Sequence, residues 1–218
     1  MGIDAKTVKE LRERTGLPMM QCKKALTETD GDLDKAADLL AKQGAKIAEK
    51  KAGRAKNEGT IGFYLHHDGK TAVMVELNCE TDFVAKNDDF KALAKDIALH
   101  VAFHDPVAVQ REDVPADLMG QMAEDPKMAD KPDSVKEKIA EGKLNKFYAE
   151  RVLLEQPFVK DPSVGTVKQL IESTVLKLRE NIGVGRYTRY KIGEQFVTGY
   201  RRVLLKISGE ALGPRGLV

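Results

Sequence analysis

The most chemically suggestive stretch of this 218-residue sequence places a carboxylate beside a large aromatic side chain. Asp82 and Phe83 lie in the run 80–87, directly after an alternating apolar segment that is typical of a strand. Such a pair offers an apolar body and a negative charge to a partner, as a wedge would. The alternative is a core phenylalanine beside an aspartate that caps a helix, and residue types alone favour that alternative.

Histidine and cysteine offer the other candidate chemistry. His100 and His104 are four residues apart on a predicted helix, a spacing that can bind zinc. Position 101 is valine where a metalloprotease helix carries its glutamate, and no third ligand is evident. Cys22 and Cys79 are isolated from each other, so we predict no disulfide. We therefore expect neither a metal nor a cofactor, and we expect His100 to be a surface or contact residue.

Composition narrows the class of protein. Basic and acidic residues nearly balance, 36 against 34, so we expect no direct nucleic-acid partner. No run of 18 apolar residues and no leader-like start over residues 1–9 occurs, so we expect a cytoplasmic protein without a membrane partner. No phosphate-binding glycine loop, nucleophile elbow or kinase signature precedes residue 200, and we predict no enzymatic chemistry.

Residues 1–44 are predicted to form three short helices, a small docking module. Asp4 and Asp32 are placed to cap the first and third helices, and Gly16 and Gly44 to end them. The small core of such a bundle suggests that it is attached to something larger.

A basic linker is predicted over residues 45–57. It contains several lysines and an arginine but one acidic residue, Glu49, and it has no aromatic residues. A solvated, partly helical tether explains this composition better than a phosphate-binding site does. Met19 and Met20 open the second helix of the docking module. Because adjacent helical residues cannot both point inward, at least one methionine is free to contact a partner.

The segments 60–66 and 70–78 predict a β-hairpin around Asp68 and Gly69, a pair suited to a type I′ turn. The second strand leads directly into the 80–87 run. The first strand alternates as a half-buried strand should, with apolar residues at Ile61, Phe63 and Leu65.

Helices and one more strand complete the prediction for residues 58–195. The predicted helices are 88–103, 115–123, 134–150 and 164–179, and the strand is 182–192. The first of these helices has an apolar stripe that would cover the hairpin, and the last strand places Val184, Tyr190 and Ile192 on one face. The fold class is α+β: a helical module, then a small antiparallel sheet covered by helices.

Motifs at several sites along the chain resemble those of the bacterial elongation factor Ts family. The resemblance covers residues 1 to about 195, and its motifs are 8–16, 19–20, 22–26, 78–79, 81–87, 97–98, 100–102, 141–143, 155–161 and 180–182. The family implies a UBA-like helical module and a guanine nucleotide exchange factor for elongation factor Tu. Because the chain has one core segment where longer members have two, it resembles the short form, and a homodimer is a reasonable hypothesis.

The resemblance also implies site residues. The 80–87 run becomes the exchange loop, which enters the nucleotide-binding domain of elongation factor Tu near its magnesium through Thr81, Asp82, Phe83 and Val84. This reverses the preference for a core phenylalanine. Further implied partner contacts are Arg12, Met19, Met20, Lys23 and His100.

Residues 196–218 differ from the rest of the chain. The stretch 200–212 resembles the start of bacterial uridylate kinase. The tail is too short to form a kinase domain, and we expect it to be foreign and disordered. Three hypotheses therefore stay open: an exchange factor, a module that only docks on or chaperones a GTPase, and a nucleotide kinase fragment.

Overall fold

The N-terminal helices begin and end largely where capping residues predict. The structure, a computed structural model, describes residues 3–116, 118 and 133–194. Helices α1 (Ala5–Thr15), α2 (Met19–Glu28) and α3 (Leu33–Lys51) open the chain. Asp4 accepts a hydrogen bond from the Lys6 backbone N–H, and Gly16 ends α1 in the left-handed region. The three predicted helices are confirmed.

Gly44 does not end α3, and that prediction is wrong. The helix continues to Lys51, because Gly44 lies where α3 packs against helix α7 (Val167–Leu178). A Cβ at position 44 would lie 3.0 Å from the Glu172 carbonyl oxygen. Glycine is present here for close helix approach, and residues 45–51 of the predicted basic linker are helical.

A three-stranded antiparallel sheet follows, in the order β1 (Glu58–Leu65), β2 (Thr71–Cys79) and β3 (Gly183–Lys191). The predicted hairpin is confirmed, with a different turn. Gly69 has a φ of 66°, and Asp68 is not among the residues of positive φ, whereas a type I′ turn needs positive φ at both central positions. The Gly69 N–H donates to the His66 carbonyl instead.

Helix α5 (Asp88–His104) covers the inner face of the sheet, as its apolar stripe predicts. Val73, Val75 and Leu77 are buried on β2 beneath it. On β1 the helix comes so close that a Cβ at Gly62 would clash with the Ala94 carbonyl oxygen. The close packing of these two layers supports the loop between β2 and α5.

The outer face of the sheet remains exposed, which corrects the expectation for β1. Ile61, Phe63 and Leu65 are 59%, 62% and 54% exposed. The buried side of β1 is instead the side of Gly62 and Tyr64, because these residues pair with Val75 and Val73 of β2. Alternation fixes which residues share a face, but it does not say which face meets the core.

A register shift corrects the expectation for β3. Val184 pairs with Leu77 on the inner face, whereas Tyr190 pairs with Ala72 on the outer face. The shift falls opposite Glu76 and Leu77, and a bulge of this kind moves the following side chains to the other face. Val184 and Tyr190 therefore do not share a face.

The remaining elements complete the α+β fold, which confirms the predicted class. They are α4 (Asp82–Ala85), α6 (Asp133–Arg151), α7 and the 3-10 helices Arg111–Asp113, Leu153–Glu155 and Pro162–Val164. Most of the predicted 115–123 helix lies outside the described residues. A membrane-spanning helix would have to be longer and more apolar than any found in the described ranges.

Candidate partner-binding site

The 80–87 loop joins β2 to α5 and contains the four-residue helix α4. Thr81 caps this helix, because its hydroxyl accepts a hydrogen bond from the Val84 backbone N–H at 3.4 Å. Asp82 is therefore the first helical residue and not the cap. Beneath the loop, the buried Cys79 thiol donates to the Thr81 carbonyl at 3.2 Å, which fixes where the chain leaves the sheet.

Phe83 is 82% exposed, so it is not a core residue. Val84 packs against the main core, and Ala85 is buried in it. Asp82 lies on the exposed side, where its carboxylate pairs with the Lys86 ammonium at 2.7 Å. That hydrogen bond lowers the pKa of Asp82, which keeps the group charged. The loop thus presents an aromatic ring and a carboxylate to solvent on a short helix anchored from below.

The base of the loop is held by two carboxylates that bond in opposite directions. The Glu180 carboxylate accepts from the backbone N–H groups of Glu80 and Thr81, both at 3.1 Å, and from the Thr81 hydroxyl at 2.6 Å. In return, the Glu80 carboxylate accepts from the Asn181 backbone N–H at 2.6 Å. We call these contacts the carboxylate clamp. Sequence reasoning missed it, since its halves are 100 residues apart.

The clamp also meets the end of α3. Lys51 and Arg54 lie 3.7 Å and 3.3 Å from the Glu80 carboxylate oxygens. The Asn181 side-chain amide donates to the Ala52 and Arg54 carbonyls at 3.3 Å and 2.8 Å. The Asn181 N–H is the main cause of a lowered pKa at Glu80, with the Arg54 hydrogen bond adding to it.

The helical-module residues of the predicted site lie on α1 and α2. Met19 and Met20 are 49% and 74% exposed, so both methionines face solvent, and Arg12 and Lys23 are exposed as well. Their helices enclose a core of their own, separate from the one beneath α4, although Leu176 of α7 contributes to it. These residues and the 80–87 loop are therefore two surfaces on different parts of the fold.

His100 is fully buried, so the expectation of a surface or contact residue is wrong. Its Nε2 lies 3.0 Å from the Gln156 side-chain oxygen, and its Nδ1 accepts from the Val159 N–H at 3.2 Å. Burial lowers the pKa of His100 to about 4. The sequence held the signal: position 100 is three residues after Ile97 and thus belongs to the buried stripe of α5.

The spacing of His100 and His104 has a structural explanation. Their rings stack at 4.5 Å between centroids. Within the described residues, no group of three or more histidine, cysteine, aspartate or glutamate side chains is placed to hold a metal ion.

An exposed aromatic ring on a loop anchored to the core, together with exposed methionines on a small helical module, is the kind of surface that proteins use to contact another macromolecule. Residues 6–194 match the family described as Elongation factor TS. The chain belongs to the elongation factor Ts family.

Relatives named Elongation factor Ts resemble the chain over most of its length. The protein of Geobacter sulfurreducens is 52% identical over 198 residues, which cover 89% of this chain and 91% of that protein. The protein of Fervidobacterium nodosum is also 52% identical, over 89% of this chain and 100% of its own length. The protein of Acetivibrio thermocellus is 47% identical over 88% of this chain and 91% of its own.

Proposed function

We propose that this chain is the guanine nucleotide exchange factor for elongation factor Tu, which releases GDP from that GTPase during translation elongation. The observation that carries the proposal is the exposure of Phe83, 82%, on the loop that joins β2 to α5. An exposed aromatic ring that does nothing for its own domain has its energetic value in a partner's pocket. Translation takes place in the cytoplasm, and we place the protein there.

The mechanism is thermodynamic linkage. A protein that binds the empty GTPase more tightly than the GDP form must weaken GDP binding by the same factor. A thousandfold weakening needs roughly 4 kcal/mol of coupling. No covalent bond is made or broken, so no catalytic residue is required. Binding surface alone can supply this energy if it fits the nucleotide-free state better.

Within the site, each residue of the 80–87 loop has a proposed role. Phe83 is the apolar wedge, and Asp82 perturbs the magnesium that bridges the phosphates to the GTPase. Thr81 holds the short helix through its cap, and Val84 anchors it to the core. Magnesium belongs to the partner in this scheme, and this chain itself needs no cofactor.

The docking surface of the helical module is the second part of the proposal. Met19 and Met20 supply an adaptable apolar contact, and Arg12 and Lys23 supply positive charge beside it. Residues 1–44 would then hold the partner's nucleotide-binding domain while the 80–87 loop acts on the nucleotide site, with 45–57 connecting this module to the core over 58–195. His100 is left out of the contact surface because it is buried.

The experiment is stopped-flow release of fluorescent GDP from elongation factor Tu. The exchange function requires faster release when this protein is added, and an unchanged rate would end the proposal. The alternative of a docking or chaperone module predicts a complex without acceleration. A kinase fragment would instead transfer phosphate from ATP to UMP.

We further propose that the chain forms a homodimer through the outer face of its sheet. Part of the face is apolar, with the exposed residues Ile61, Phe63, Leu65, Met74 and Tyr190, and beside this part lies the Glu76–Arg186 ion pair. A flat apolar face is self-complementary, and two copies related by a two-fold axis would stack their sheets roughly 10 Å apart. A stable interface buries roughly 800 Å² per partner, a size that a three-stranded face and its surroundings can supply.

Sedimentation velocity across micromolar concentrations tests the dimer. We expect a dimer for the unmodified chain and a monomer for Phe63→Glu, which puts a charge among the exposed apolar residues of the face. Met20→Glu is the matched control, since it charges an exposed apolar residue off the sheet, and it should leave the dimer intact. A chain that sediments only as a monomer would contradict this proposal.

Residues 196–218, for which we expected disorder, lie outside the described residues, and they follow the part of the chain that matches the family, which ends at 194. We propose that they take no part in exchange. We also propose that they derive from a uridylate kinase sequence, because residues 200–212 resemble its start. Removing residues 196–218 should leave the rate of GDP release unchanged. A slower rate after removal would show that the tail belongs to the exchange machinery.

A further inference from the structure

The short helix α4 cannot hold its own orientation. Four residues close barely one helical turn, and a single turn is unstable without outside support. The chain leaves the sheet after Cys79, so the next two backbone N–H groups, those of Glu80 and Thr81, have no strand partner. Both N–H groups donate to Glu180 instead. The direction in which the 80–87 loop leaves the sheet is therefore set from outside the loop.

We propose that Glu180 and Glu80 are positioning residues for nucleotide exchange, because the carboxylate clamp fixes the base of the 80–87 loop so that Phe83 is presented to the partner in one orientation. This inference rests on the proposed exchange function. It assigns a role to two residues that do not themselves enter the partner's nucleotide site.

The clamp resists rotation because it bonds in both directions. Glu180 receives three donors from residues 80 and 81, and Glu80 receives the N–H of Asn181. Val84 and Ala85 hold α4 against the core, and bonds from each segment to the other fix the position and angle of the loop at its base, which a single hydrogen bond would not. Hydrogen bonds to ionised carboxylates are also shorter and stronger than those between neutral groups.

The same contacts connect the loop to the helical module. Lys51, the last residue of the long helix α3, and Arg54, just after it, pair with Glu80, and Asn181 donates to the carbonyls of Ala52 and Arg54. Helix α3 belongs to the helical module and also packs on α7 of the core. The clamp thus holds the two proposed partner surfaces, the module and the loop tip, in one relative geometry. A wedge that must act while another surface holds the partner needs that geometry to be fixed in advance.

The test is Glu180→Gln in the full chain. Glutamine keeps the size and one oxygen that can still accept from the two N–H groups, but it loses the negative charge, and its NH₂ group cannot accept from the Thr81 hydroxyl. We expect the maximal rate of GDP release at saturating protein to fall at least about fivefold, with the half-saturating concentration changed less than about twofold. Docking through the module would be kept while the wedge loses its aim.

The matched control is Asp96→Asn. Asp96 is a carboxylate that, like Glu80, pairs with a charged donor, Lys160 at 2.9 Å, and it belongs to neither proposed partner surface. It should leave the release rate unchanged. Glu80→Gln is a milder variant, because one oxygen can still accept from Asn181, and we expect a smaller loss in the same maximal rate.

A double-mutant comparison separates positioning from general damage. If the clamp acts only by aiming Phe83, Glu180→Gln should cost nothing further in a Phe83→Ala background. Additive losses, or a Glu180→Gln chain as fast as the unmodified one, would overturn the positioning role while leaving the exchange function intact. An unmodified chain that does not accelerate GDP release would overturn both.

Discussion

Phe83 and His100 are both implied partner contacts, yet they lie at opposite extremes of the structure. Phe83 is 82% exposed at the tip of a loop, whereas His100 is fully buried between α5 and the segment 156–159. A side chain that serves a partner is exposed in the free protein, and one that serves the fold is not. Function and stability should therefore respond separately to substitutions at these two positions.

The largest expected effect is on stability, at His100. His100→Ala removes a buried ring, leaves Gln156 and the Val159 N–H without their partner, and opens a cavity. We expect the free energy of unfolding to fall by about 2–4 kcal/mol. Urea unfolding followed by circular dichroism measures it. If the folded variant also accelerates GDP release more slowly than the unmodified chain, His100 serves the partner as well as the fold, and the distinction between the two residues fails.

The next effect is on exchange, at Phe83. Phe83→Ala should slow GDP release at least about tenfold, since the ring is the proposed hot spot of the contact. The thermal midpoint should stay close to that of the unmodified chain, because the ring buries little in its own domain. Stopped-flow release and a thermal melt on the same sample check both. A collapsed thermal transition would return Phe83 to the fold, and an unchanged exchange rate would remove the wedge.

A smaller effect should appear with pH, again through His100. Burial lowers the pKa of His100 in the folded chain to about 4, whereas a histidine in an unfolded chain has a pKa of roughly 6.5. As the pH falls below about 6.5, His100 binds a proton in the unfolded chain but not in the folded one. The stability contributed by the neutral, buried His100 is therefore fully present above that pH and is lost as the pH falls toward 4.

Unfolding midpoints at two pH values measure this effect. The unmodified chain should lose more stability between about pH 7.5 and 5 than His100→Gln, which does not titrate there. Equal losses in both proteins would mean that His100 contributes nothing to the pH dependence, and its burial would need another interpretation.

Local signals predict much of this fold, and the errors share a cause. Capping residues place α1 and the start of α3, and the apolar stripe places α5 over the sheet. The errors concern tertiary packing: Gly44 is a contact point between helices and not a helix end, and Phe63 faces solvent and not the core. Local patterns specify elements and their faces, but packing partners far away in sequence decide which face is covered.

The candidate site divides in the same way. The tip of the 80–87 loop could be identified from the types of Asp82 and Phe83 and from the motif around them. The base could not, because Glu180 reaches Thr81 across 99 positions and leaves no local pattern. His100 is the instructive error, since its motif suggested contact while its helical spacing already indicated burial.

The smallest expected effect belongs to Asp82 and sharpens what exposure at the loop tip is for. Asp82→Asn removes the charge but keeps the shape, and we expect a loss of exchange smaller than that of Phe83→Ala and confined mainly to solutions with magnesium. Lys86→Met separates two explanations, because it removes the 2.7 Å ion pair and leaves the Asp82 carboxylate in place. If the charge acts on the partner's magnesium site, Lys86→Met should exchange at least as fast as the unmodified chain. Equal losses for Asp82→Asn with and without magnesium, matched by Lys86→Met, would mean that the ion pair only orders α4, and Phe83 would then be the one residue of the tip that acts on the partner.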